Sequence, residues 1–128
     1  MSEEYRPPKR TVLCIDDDRA ILRYEKALLE RSGYNVLTTE SPEKGLAMAM
    51  VLHQLDAVVL DYHMPEMSGH KVAAAIKRSR PETLIVMFSA SEIPEETVKL
   101  VDAVVLKTEA IAQLLPTVAQ LCNRSSPS

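Results

Sequence analysis

Residues 57–69 read Ala-Val-Val-Leu-Asp-Tyr-His-Met-Pro-Glu-Met-Ser-Gly. Ala57–Leu60 is an unbroken apolar run, the pattern of a strand buried on both faces within a parallel sheet. Asp61 ends the run, and Pro65 marks a loop. Ser68 then stands where a helix needs a cap, and the spacing predicts a helix through Arg78 with Val72, Ala73 and Ile76 inward. A strand, an acid at its C-terminal end and a returning helix make one unit of an α/β fold.

The unit recurs in both directions. Upstream, Thr11–Ile15 is a short apolar strand, and a helix follows over Asp18–Arg31. Ile21, Tyr24, Leu28 and Leu29 lie on that helix at helical spacing, and Gly33 stops it. Asn35–Thr39 is a second strand, and Ser41 with Pro42 opens a helix to about His53. Downstream, Leu84–Phe88 is a fourth strand, Pro94–Val101 a short helix and Ala103–Leu106 a fifth strand. A last helix runs from about Glu109 to Cys122, with Pro116 expected to kink it or delay its regular part. Five strands alternating with five helices predict an α/β, doubly wound, five-stranded parallel sheet with helices on both faces. Residues 1–10 read as a flexible N-terminal arm, 11–122 as the folded domain and 123–128 as a C-terminal tail.

Composition narrows the function. The 128 residues suit one domain, with 15 basic and 18 acidic residues giving a formal charge of −3. That balance argues against a nucleic-acid binder. The longest apolar stretch, Leu46–Leu52, is far too short to insert in a membrane, and residues 1–10 carry no signal-peptide pattern, so the cytoplasm is the expected compartment. Cys14 and Cys122 form no metal-binding pair and read as reduced thiols. His53, His63 and His70 lack zinc-ligand spacing.

In doubly wound folds, ligands meet the C-terminal ends of the strands. Strand one ends in Asp16-Asp17-Asp18, strand three in Asp61, strand four in Ser89-Ala90 and strand five in Lys107. Acids, a hydroxyl and an ammonium are thus expected on one rim. Clustered carboxylates repel unless a cation joins them, and hard oxygens suit Mg²⁺ or Mn²⁺. A lysine and a serine opposite would suit phosphoryl oxygens. The turn after strand one lacks the glycine-rich fingerprint of dinucleotide sites. Asp18 is better read as the helix cap.

These residues resemble the receiver domain of two-component response regulators, the CheY-like family, over about Thr11 to Cys122. Asp61-Tyr62-His63-Met64-Pro65-Glu66-Met67-Ser68-Gly69 matches the family's D-x-x-M-P-x-M-x-G, and Val12–Asp17, Phe88-Ser89-Ala90 and Lys107 complete the pattern. The resemblance implies a flavodoxin-like strand order of 2-1-3-4-5. It implies that Asp61 accepts a phosphoryl group from a histidine kinase or phosphotransfer protein. It implies Asp16, Asp17, Asp61 and the backbone carbonyl of His63 as the metal site, with Asp16 acting through water. Lys107 would pair with Asp61 and later with the phosphoryl group, Ser89 would bond a phosphoryl oxygen, and the small Ala90 would leave it room. The implied protein is a single-domain switch, a monomer or weak dimer. It would catalyse its own phosphorylation and dephosphorylation without being an enzyme in the usual sense, and act on a downstream protein partner.

Three departures sit together. Thr108 replaces the family's proline after the lysine, so a trans bond is expected there, because a non-prolyl cis bond costs ~2.5–4 kcal/mol. Val104 replaces an aromatic ring that moves on activation, and the segment from Ser89 to Lys107 is short enough to shorten the fourth helix by about one turn. They motivate an alternative, a receiver-like binding module that works without phosphorylation. A further alternative is a haloacid-dehalogenase-type phosphatase, reading Asp16-Asp17-Asp18 as a D-x-D nucleophile motif. Arg19 and the lack of an acidic pair after Lys107 stand against it.

Overall fold

The computed structural model describes residues 9–107 and 113–125. In chain order the elements are β1 (Thr11–Ile15), α1 (Arg19–Arg31), β2 (Asn35–Thr39), α2 (Pro42–Val51), β3 (Ala57–Leu60), α3 (Gly69–Ser79), β4 (Leu84–Ser89), α4 (Glu95–Leu100), β5 (Ala103–Leu106) and α5 (Leu114–Ser125). The strands form one parallel sheet in the order β2-β1-β3-β4-β5. This is the doubly wound α/β order that the family resemblance implied.

Two-residue alternation divides the sheet between its two faces. Val12, Cys14, Val59, Val86 and Phe88 face one side, where Leu22 and Leu29 of α1 and Leu114, Val118 and Cys122 of α5 cover them. Leu13, Ile15, Val58, Leu60, Ile85 and Met87 face the other, against Ala49 of α2 and Val72, Ala73 and Ile76 of α3. Central strands buried on both sides are why β1, β3 and β4 read as continuous apolar runs.

Local chemistry sets the ends of the elements. Asp18, Ser41 and Ser68 cap α1, α2 and α3 through their side chains. The last turn of α2 ends at Val51, two residues before the expected His53. Arg80 donates to the carbonyls of Ala49, Leu52 and His53, which supplies partners for carbonyls left over where α2 stops. Helix α4 has only six residues, Glu95–Leu100. Its buried Thr97 meets His70 of α3 across 2.8 Å, and Lys77 reaches Asp102 just before β5 at 2.7 Å. Pro116 lies in the first turn of α5, where a missing N–H leaves no intrahelical bond unmade. The helix continues to Ser125, three residues beyond the expected Cys122. The backbone expectation for Thr108 falls outside the described residues.

The candidate phosphoacceptor site

The acidic rim begins where the β1 ladder ends. The Asp16 N–H still donates to the Thr39 carbonyl, so Asp16 leaves the sheet in a fixed direction. Its Oδ1 accepts the Asp18 N–H at 2.9 Å, and its Oδ2 accepts from Lys107 Nζ at 2.8 Å. Asp17 is exposed beside it. Asp18 turns away, with Oδ1 accepting the Ala20 and Ile21 N–H groups. Of the three adjacent acids, two are therefore left for the rim.

Asp61 extends β3 in the same way, with its N–H on the Ile15 carbonyl at 2.9 Å. The loop beyond folds back tightly, and the Gly69 N–H donates to the Tyr62 carbonyl at 2.8 Å. A Cβ on Gly69 would lie 2.5 Å from the Asp61 carbonyl and 2.8 Å from the Tyr62 Cα. Gly69 does not have positive φ, so close approach is what demands glycine here.

Lys107 follows β5. Its N–H donates to the Ser89 carbonyl at 2.7 Å, which aligns the ends of β4 and β5. Its ammonium lies 2.8 Å from Asp16, 3.4 Å from Asp61 and 5.5 Å from the centre of the Phe88 ring. The lysine is thus shared by two carboxylates, with its shorter contact to Asp16. Ser89 is fully buried, and its Oγ accepts the Ser91 N–H at 3.3 Å. His63 is exposed, with Nε2 3.1 Å from Ser91 Oγ and its ring edge-on to Tyr62.

One carboxylate oxygen from each of Asp16, Asp17 and Asp61 lies within 4.8 Å of the others. Among the described residues this is the acid, thiol or imidazole group spaced to share one ion. Three carboxylates and one ammonium leave an excess of negative charge. Burial and the Asp16 carboxylate push Asp61 up to about 6, although Lys107 opposes the rise. Burial likewise raises Asp16 against the pull of Lys107. For Lys107, burial acts to lower the ammonium, but its bonds to Asp16 and its attraction to both acids prevail and raise it. Oxygen donors in a crowded, half-desolvated group match what a small hard dication takes.

One buried acid next to this group was missed in the sequence. Glu25 of α1 is 1% exposed, and its Oε1 has no hydrogen-bond partner. The inward stripe of α1 is Leu22, Glu25 and Leu29, whereas Tyr24, read at helical spacing with Ile21, Leu28 and Leu29, is 42% exposed. The sequence signal was the spacing of Glu25 from Leu22 and Leu29, three and four residues away, on a stripe otherwise apolar.

The family model for the response regulator receiver domain matches residues 12–118. The cell cycle response regulator CtrA of Brucella ovis is 33% identical over 88 residues, which are 69% of this chain and 38% of that protein. The matched stretch therefore spans well under half the length of such relatives. A CheY-like receiver from Methanospirillum hungatei superposes with a TM-score of 0.84 at 25% identity, covering 91% of this chain and 96% of that one. The Thermotoga maritima response regulator TrrA, crystallised with Mg²⁺-BeF, gives 0.81 at 27% identity, covering 88% of this chain and 98% of that one. TrrA in complex with the histidine kinase ThkA gives 0.79 at 27% identity, covering 88% and 97%. With its sheet order, its acidic rim and these matches in agreement, the chain belongs to the response-regulator receiver-domain family of two-component signalling.

Proposed function

We propose that this receiver is a phosphoacceptor switch, with Asp61 taking a phosphoryl group from the phosphohistidine of a kinase or phosphotransfer protein. The observation that carries the reading is the position of Asp61. It is 5% exposed, 3.4 Å from Lys107 Nζ, and grouped with Asp16 and Asp17 at the sheet rim. An Asp61 oxygen attacks phosphorus as the P–N bond breaks, and the imidazole leaves with the bond pair. Burial and Asp16 push Asp61 up only to about 6, which leaves it mostly ionised and nucleophilic near neutral pH. Lys107 places positive charge where the phosphoryl oxygens arrive, and the Ser89 hydroxyl donates to one of them.

Asp16, Asp17, Asp61 and the His63 carbonyl would hold Mg²⁺ or Mn²⁺, which offsets charge on the attacking carboxylate and the phosphoryl group. The Mg²⁺-BeF and kinase complexes of TrrA support both the cation and the partner class. No helix among the described residues is long and apolar enough to cross a membrane, which accords with a cytoplasmic site of action. The phosphatase alternative loses its second motif acid, since Asp18 is occupied as the α1 cap.

The readout differs from the family's usual route. Val104 lines an open groove with Ile93, Val98 and Leu106 where the family carries an aromatic ring, and α4 is short and tied to α3 through His70 and Thr97. Amide exchange on free and phosphorylated protein tests this: a large change confined to the α4 face would contradict it. The phosphoacceptor reading is tested by incubation with acetyl phosphate and Mg²⁺. One phosphoryl group per chain is expected on the wild type and none on Asp61→Asn; an unlabelled wild type would overturn it.

A further inference from the structure

Among the described residues, Glu25 is the buried carboxylic acid that the phosphoacceptor chemistry does not use. It lies in the middle of α1 on the buried stripe with Leu22 and Leu29, which belong to the same apolar layer as Val12 and Phe88. It hydrogen-bonds the buried Cys14 thiol, and its other oxygen has no partner. Cys14 lies two residues before Asp16 on the same face of β1. The charged and titratable groups acting on Glu25 are Cys14 and Asp16 from β1 and its end, Asp61 after β3 and Lys107 after β5. The described core residues of α5, Leu114, Val118 and Cys122, contribute no formal charge to its surroundings.

A buried carboxylate with an unsatisfied oxygen is costly, whereas a buried carboxylic acid is tolerated. Two carboxylates above it reinforce the neutral form. Burial first and Asp16 next raise Glu25 to about 8. A dication among Asp16, Asp17 and Asp61 would offset the part of that rise that comes from the two carboxylates, leaving the part due to burial.

We propose that Glu25 couples the acidic rim to pH: near neutral pH it is a neutral acid when the rim carries only carboxylates, and it releases its proton more readily when a divalent cation occupies the rim. This rests on the metal-binding part of the proposed function. Linkage makes the coupling reciprocal, so an ionised Glu25 favours the cation and the cation favours ionised Glu25. The residue would then act as a regulatory group behind the site, touching neither metal nor phosphoryl group.

The test is Mg²⁺ binding by calorimetry at pH 7.0 and 9.0, in two buffers of different ionisation enthalpy, for wild type, Glu25→Gln and Glu25→Met. This window lies above Asp61, at about 6, and below Lys107, which is raised above its usual 10.5. Wild-type affinity is expected to rise about fivefold or more between the two pH values, with proton release at the lower one. Both variants should bind with little pH dependence and no such release. Equal pH dependence in wild type and variants would overturn the coupling while leaving the metal site intact. No Mg²⁺ binding by any of the three would overturn the metal reading, and the coupling with it.

Discussion

The Lys107 ammonium lies 2.8 Å from Asp16 Oδ2, closer than its 3.4 Å approach to Asp61. Asp16 has a side chain only 2% exposed, so its charge depends on that contact. Loss of the lysine therefore acts first on Asp16 and second on the nucleophile. Lys107→Ala is expected to destabilise the cation-free fold by about 3 kcal/mol, since it leaves a buried charge without its partner. The same change removes a like charge from beside a bound cation, so Mg²⁺ should bind more tightly even as labelling slows. Urea unfolding and Mg²⁺ titration of one sample measure both effects.

Asp61 makes stability depend on pH in a defined direction. Its folded-state value of about 6 lies above the ordinary 3.8, so the folded state holds the proton more tightly than the unfolded one. Stability therefore falls as pH rises from about 4 to about 6, then levels off for this group. At pH 7, Asp61→Asn should stabilise the cation-free protein by up to about 3 kcal/mol, two pKa units at 1.36 kcal/mol each. Saturating Mg²⁺ should stabilise the wild type and narrow that difference. Unfolding curves at pH 5 and 7, with and without Mg²⁺, check the sign.

Glu25 extends the same penalty to higher pH. Raised from 4.5 to about 8, it destabilises the fold progressively from pH 5 to 8. Replacement by methionine, unbranched and of similar length, removes the buried acid. A gain of about 3 kcal/mol at pH 7, shrinking toward zero near pH 4, is the expected result in urea unfolding.

Gly69 is tested by adding one methyl group. In Gly69→Ala the new Cβ would meet the Asp61 carbonyl and the Tyr62 Cα, with Met87 Sδ 3.1 Å away. Two of these are backbone atoms of the phosphoacceptor strand and loop, so they move only if the site moves. A loss of about 1–3 kcal/mol is expected, with slower labelling by acetyl phosphate. Gly33→Ala serves as the contrast. Its cost comes from its φ of 99° with nothing near the added Cβ, so it should lower stability without slowing labelling.

The rim was legible because each central strand is a continuous apolar run ending in a polar residue. Val12–Ile15 runs into Asp16, Ala57–Leu60 into Asp61, and Leu84–Phe88 into Ser89. Parallel pairing then brings those ends to one side of the sheet. The inward face of α1 was not legible in the same way. Of Ile21, Tyr24, Leu28 and Leu29, read at helical spacing, Leu29 is buried and Ile21 packs against the core, but Tyr24 is exposed and the inward places go to Leu22 and Glu25. Which stripe faces inward is settled by the Asp18 cap and by packing on β1, and a local window contains neither. The role of Arg80 escaped for a similar reason. Its carbonyl partners are 27 to 31 residues away in sequence. Gly69 was legible as a required glycine, but only the fold distinguishes close approach from positive φ.

Phosphoryl transfer to Asp61 can be read at that carboxylate itself. After incubation with acetyl phosphate, borohydride reduction converts an aspartyl phosphate to homoserine, which peptide mass spectrometry locates. With Asp61 as a cation-dependent phosphoacceptor, homoserine is expected at position 61 when Mg²⁺ is present and little without it. Homoserine at Asp16 or Asp17, or equal conversion of Asp61 with and without a divalent cation, would contradict it.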